Sequence, residues 1–145
     1  MRLFTWLGHA AGCLGAGCLA SVWPVTPAVG QTAFPSQAGP LVVETVARGL
    51  DHPWSLAFLP DGRMLATERP GRLRLIGRDG AVSPPLAGAP TVAAQGQGGL
   101  LDIALAPDFA RTRDVFLCQA AAVEGGALTR LVTARLSPGN NGLTG

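Results

Sequence analysis

An all-β fold assembled from repeated antiparallel sheets is what this sequence predicts, on three observations. Glycine (20) and proline (12) are abundant in a chain of 145 residues, and few stretches carry a helical spacing of apolar residues, so many short strands and turns are expected. Short apolar or alternating runs are bounded by Asp-Gly and Pro-Gly pairs, which favour tight turns. One strand-turn unit, Ser55-Leu56-Ala57-Phe58-Leu59-Pro60-Asp61, returns 47 residues later as Asp102-Ile103-Ala104-Leu105-Ala106-Pro107-Asp108.

The composition bounds what such a fold can do. Hydrophobic residues make up 48% and charged residues 14%, which is the balance of a packed protein and not of a disordered one. All 11 basic residues are arginine, the net charge is +2, and the arginines are scattered. No basic cluster points to a nucleic-acid partner.

Residues 1–30 read as a signal peptide. Arg2 gives a short positive start, 3–22 is apolar and rich in small residues, and Pro24 and Pro27 end it. Ala28-Val29-Gly30 puts small residues where a signal peptidase reads them, so cleavage before Gln31 and a periplasmic or secreted location are expected. A retained membrane anchor is one alternative, but Gly8, Gly12, Gly15, Gly17 and His9 dilute the span. Lipidation at Cys13 or Cys18 is another, although Gly15 stands where a large aliphatic residue is wanted. With the signal removed, Cys118 is the one cysteine left, so no internal disulfide forms; its apolar run, Val115-Phe116-Leu117-Cys118, reads as a strand with a buried structural thiol. His52 is the one histidine of the mature part, which leaves no histidine pair for a metal and suggests a surface loop.

The elements follow in order. Residues 31–40 form a polar linker, and the globular part runs from 41 to 145. Strands are expected at 42–48 and 54–59, the second closed by Pro60-Asp61-Gly62. A partner strand follows at 64–68, then the Pro70-Gly71 turn. Arg72-Leu73-Arg74-Leu75-Ile76 alternates at period two, the mark of a half-buried strand. After the second copy of the repeat come strands at 115–119 and 128–136. A self-similar unit of about 40–50 residues made of short antiparallel strands is the signature of a β-propeller blade. Propellers have about four to eight blades, and about two are expected here. Unpaired blades leave apolar faces and sheet edges open, so the sequence reads as the N-terminal part of a longer protein, and residues 31–145 alone are expected to be insoluble or molten.

Four segments in this order, Pro53-Trp54-Ser55-Leu56-Ala57-Phe58-Leu59-Pro60-Asp61-Gly62, Thr67-Glu68-Arg69-Pro70-Gly71-Arg72-Leu73, Gly96-Gln97-Gly98-Gly99-Leu100-Leu101-Asp102 and Pro107-Asp108-Phe109, resemble the soluble PQQ-dependent glucose/sorbosone dehydrogenases, or aldose sugar dehydrogenases. The resemblance covers 41–136. It implies a six-bladed β-propeller that oxidises the anomeric carbon of an aldose to the lactone. Pyrroloquinoline quinone (PQQ) takes the hydride, calcium polarises the cofactor, and an external acceptor removes the electrons. No integral membrane partner is implied.

By that resemblance Gln97 contacts the sugar substrate. An amide both donates to and accepts from hydroxyls without adding charge, and the flanking glycines permit close approach. Asp102 is the second candidate for lining the active site, with bonds to backbone amides at the central channel as its expected role. Glu68 and Arg69 are expected to form an exposed ion pair at a strand end, the alternative being that they line the top of the propeller. The general-base histidine of the family is expected beyond Gly145, as are the residues that hold PQQ and calcium; His52 stands in a different context. A base must reach its proton, so the 145-residue chain is expected to be inactive alone. The rival reading is a non-catalytic propeller module that binds carbohydrate or protein. A lactone-hydrolysing propeller would need convergent metal-binding carboxylates, which this segment lacks.

Overall fold

The computed structural model describes residues 32–145; the signal peptide, Cys13 and Cys18 lie outside that range. Nine strands and one short helix are present among the described residues. Strands β1 (Thr32–Phe34) and β2 (Leu41–Val43) form a small hairpin. Strands β3 (Pro53–Phe58), β4 (Met64–Glu68) and β5 (Arg72–Ile76) form the first antiparallel meander. Strands β6 (Leu100–Leu105), β7 (Asp114–Val123), β8 (Gly126–Leu136) and β9 (Leu143–Thr144) form the second, with helix α1 (Phe109–Thr112) between β6 and β7. These are two consecutive blades of a β-propeller, as the repeat implied.

Strands β4 and β5 occupy the residues expected of them, because Asp61-Gly62 and Pro70-Gly71 define both turns. Gly62 and Gly71 take φ of 82° and 107°, a region that favours glycine. The N-terminal expectation needs correcting. The segment read as linker carries β1, and the strand expected at 42–48 shrinks to β2. A turn at Ser36, whose hydroxyl donates to the Gly39 carbonyl at 2.5 Å, folds β1 back onto β2. The first blade also has an irregular fourth edge. Ser83 and Leu86 donate backbone N–H groups to Leu75 and Leu73, both at 2.8 Å. Pro84 and Pro85 lack the N–H that a regular ladder would use. Sequence reading also missed α1 and β9. Arg113 closes α1 in a left-handed conformation (φ 62°) and bonds the Leu136 carbonyl, tying the helix to the end of β8.

Alternation fixes which face each blade buries. Facing positions of an antiparallel ladder share a face. Ala57, Leu65 and Leu75 therefore lie together, with Leu73 on the same face of β5, as do Ile103, Leu117 and Val132. These two faces meet. The core contains Leu65, Leu73, Leu100, Val115, Leu117 and Leu136, all fully buried. It is an inter-blade core. Cys118 points the other way, on the Phe116–Leu131 face of the second blade, and is half-buried. The expected fully buried thiol is thus replaced by one on an open face.

Candidate functional site

The two blades begin alike. Each innermost strand carries a bulge near its start, between Pro53 and Ser55 in β3 and between Leu100 and Ile103 in β6. Trp54 and Leu101 fall at equivalent places in the repeat. Bulges re-aim side chains and cluster beside functional sites. Here they sit where the two blades exchange polar contacts. The Ser55 hydroxyl donates to Asp102 Oδ1 at 2.5 Å, so the repeat bonds one copy to the corresponding residue of the next. Asp102 Oδ1 also accepts the Ile103 amide at 2.9 Å. Thr67 Oγ1 donates to the Leu101 carbonyl at 2.6 Å and accepts the Ser55 amide at 3.1 Å.

Above this seam runs the Gly96-Gln97-Gly98-Gly99 turn. Gly98 N–H closes it onto the Gln95 carbonyl at 2.7 Å. Gly99 has φ 147°, and a Cβ there would lie 2.1 Å from the Arg69 carbonyl oxygen. Only glycine lets these two backbones approach so closely. Gln97 is exposed at the tip, and among the described residues its side-chain amide makes no hydrogen bond. It lines a cleft of about 380 Å³ with His52, Pro53, Trp54, Arg69 and Gly96. Asp102 does not line this cleft. Its carboxylate faces Ser55 on β3 and accepts the Ile103 backbone amide, the kind of partner expected of it.

The expected Glu68–Arg69 ion pair is not formed. Glu68 is fully buried. Its carboxylate accepts from Arg72 Nε at 2.5 Å and from the Asp51 amide at 2.7 Å, with Arg74 at 3.3 Å. Arg72 also donates to Asp51 Oδ2 at 2.6 Å. Burial pushes the Glu68 carboxyl up, but the hydrogen bonds from Arg72 and the Asp51 amide, with the Arg72 and Arg74 charges, hold it below the ordinary glutamate range. Asp51 is held below its ordinary value by hydrogen bonds from Arg72 and His52. The signal for this pairing was in the sequence. The Pro70-Gly71 turn sets Arg72 opposite Glu68, and opposite charges across a ladder pair.

His52 was expected on a surface loop, and 64% of its side chain is exposed. His52 takes a left-handed conformation (φ 48°), contacts Asp51 through Nδ1, and lines the Gln97 cleft. Nothing local in the sequence could bring residues 52 and 97 together. Their meeting depends on how the blades dock.

The chain matches known proteins in sequence and in structure. The glucose/sorbosone dehydrogenase profile fits residues 50–145. The chain belongs to the glucose/sorbosone dehydrogenase family. Among its relatives is the aldose sugar dehydrogenase YliI of Escherichia coli K12, 55% identical over 76 residues, which are 52% of this chain and 20% of that protein. The crystal structure of the soluble E. coli aldose sugar dehydrogenase in its apo-form superposes with a TM-score of 0.67 at 47% identity, over 70% of this chain and 30% of that one. The PQQ-bound aldose sugar dehydrogenase of Streptomyces coelicolor gives a TM-score of 0.64 at 29% identity, over 82% and 34%. The chain thus spans about a third or less of the length of these family members.

The residues described do not fit the family's cofactor or a metal. PQQ is anionic and calls for several cationic partners, and Arg69, with one N–H on the Gly96 carbonyl, supplies the one guanidinium lining this cleft. Among the described residues no group of three or more His, Cys, Asp or Glu could hold a metal ion.

Proposed function

We propose that this chain supplies one sugar-contacting wall of an exported PQQ-dependent aldose dehydrogenase. Such an enzyme would convert an aldose to its aldonolactone, a two-electron oxidation for which bound PQQ would be the oxidant and an external acceptor the final sink. The observation that carries this reading is Gln97, whose unengaged amide is presented to a cleft by a turn that only glycines can form. A neutral amide suits a hydroxyl-rich neutral ligand. His52 and Trp54 add a polar and an apolar wall, a mixture typical of small-molecule sites.

PQQ, calcium and the general base belong, in this reading, to parts of the protein outside residues 32–145. It follows that residues 31–145 alone do not oxidise sugar. The leader-like composition of 1–30 supports export to the periplasm or medium. The test is glucose oxidation by the complete encoded polypeptide loaded with PQQ and calcium, followed with a dye as electron acceptor, beside residues 31–145 treated identically. Turnover by the first and none by the second is expected. Glucose binding without turnover by the complete polypeptide would make the protein a carbohydrate-binding propeller instead.

A further inference from the structure

Gln97 stands on a turn whose tip has little of its own to hold it. The turn has one internal hydrogen bond, its far end is held from the second blade by the Ala120 amide donating to the Gly99 carbonyl at 2.8 Å, and three of the four residues 96–99 are glycine. A flexible turn would leave the amide free to wander, at an entropic cost to any ligand it met. One residue of the first blade grips this turn at both ends. The Arg69 guanidinium donates through Nη1 to the Gly96 carbonyl, just before Gln97. The Arg69 carbonyl accepts the Leu100 amide at 3.0 Å, just after the turn. Gly99 packs against that same carbonyl, with no room for a side chain.

Arg69 is itself well anchored. It follows Glu68, the fully buried end of β4, and its own amide donates to the His52 carbonyl at 3.0 Å. Both walls of the cleft, the His52 loop and the Gln97 turn, therefore hang from one backbone unit. We infer that Arg69 is a positioning residue for sugar binding: it holds Gln97 against the cleft and acts through it, without contacting the sugar itself. This rests on the sugar-binding role proposed for Gln97.

A double-mutant cycle on the complete encoded polypeptide separates this role from a merely structural one. D-glucose affinity, by calorimetry and as KM, is measured for wild type, Arg69→Ala, Gln97→Ala and the double variant. Loss of one neutral hydrogen bond corresponds to about a 3- to 10-fold weakening. Each single variant is expected to weaken glucose by about that much, with kcat little changed, and the double variant is expected to be no weaker than Gln97→Ala. Arg69→Lys, which keeps a cationic donor group without the guanidinium's fork, is expected to fall between wild type and Arg69→Ala; it takes the place of Arg69→Ala in the cycle should the alanine variant fail to fold. Multiplying effects, or an Arg69 variant that binds glucose like wild type, would overturn the inference while leaving Gln97 its role. Unchanged glucose affinity in a folded Gln97→Ala protein would overturn the sugar reading of the cleft, and the inference with it.

Discussion

The two faces of strand β3 behave differently. Ser55 and Ala57 point at the second blade, where Ala57 is 7% exposed and packs in the core. Leu56 and Phe58 point the other way; Phe58 is 71% exposed, and with the bulge residue Trp54 they line a groove of about 950 Å³ beside Val46, Leu50 and Ile76. The strand therefore carries apolar residues on both faces, with Ser55 its one polar side chain. β5, by contrast, alternates arginine with leucine. A strand without polar alternation is suited to lie between two packed layers, whereas an alternating strand has one wet side. The lesson is that β3 is built for neighbours on both sides and has one among the described residues.

That contrast yields predictions of decreasing size. Leu100 is fully buried between the blades. Leu100→Ala should destabilise the complete polypeptide by about 3–4 kcal/mol in urea unfolding; a loss under about 1 kcal/mol would mean the inter-blade core is not as tight as described. Glu68→Ala leaves Arg72 and Arg74 without their buried partner. Because both arginines retain some exposure, the cost should fall at about 2–3 kcal/mol, below that of a sealed pair.

The same network fixes a pH dependence. Folding lowers the pKa values of Glu68 and Asp51 from ordinary values of 4.5 and 3.8. Their contribution is fully present above those values and is lost as pH falls through the lower, folded-state values. Stability should therefore be flat near neutrality and drop below about pH 4.5, with a shallower drop in Glu68→Ala. An equal drop in the variant would show that other carboxylates govern acid unfolding.

Ser55→Ala should cost about 1 kcal/mol, since Asp102 keeps the Ile103 amide and solvent. On the outer face of β3, Leu56→Ser with Phe58→Ser should lower the urea midpoint of the complete polypeptide, where that apolar face has a second neighbour. An unchanged midpoint would show that the face stays open to solvent.

What the sequence revealed follows the range of the interactions involved. β4 and β5 were legible because their limits are set by adjacent turns with strong backbone preferences. The blade repeat was legible because the inner strand and its Pro-Asp turn recur. The short α1 and β9 were not, because Arg113 is fixed by Leu136 across the second blade and Leu143 by Ala87, next to the irregular edge of the first. Gln97 could be singled out by its glycine setting, yet its companions could not. His52 and Arg69 reach the cleft through the docking of one blade on the other. Glu68 was read as exposed because a strand-end carboxylate usually is; its arginine partners on β5 reverse that.

The most direct test of the account is the KM for D-glucose of the complete polypeptide with Gln97 replaced by alanine. A rise of about 3- to 10-fold with the fold intact is predicted. An unchanged KM would contradict the claim that this turn presents the sugar-binding amide.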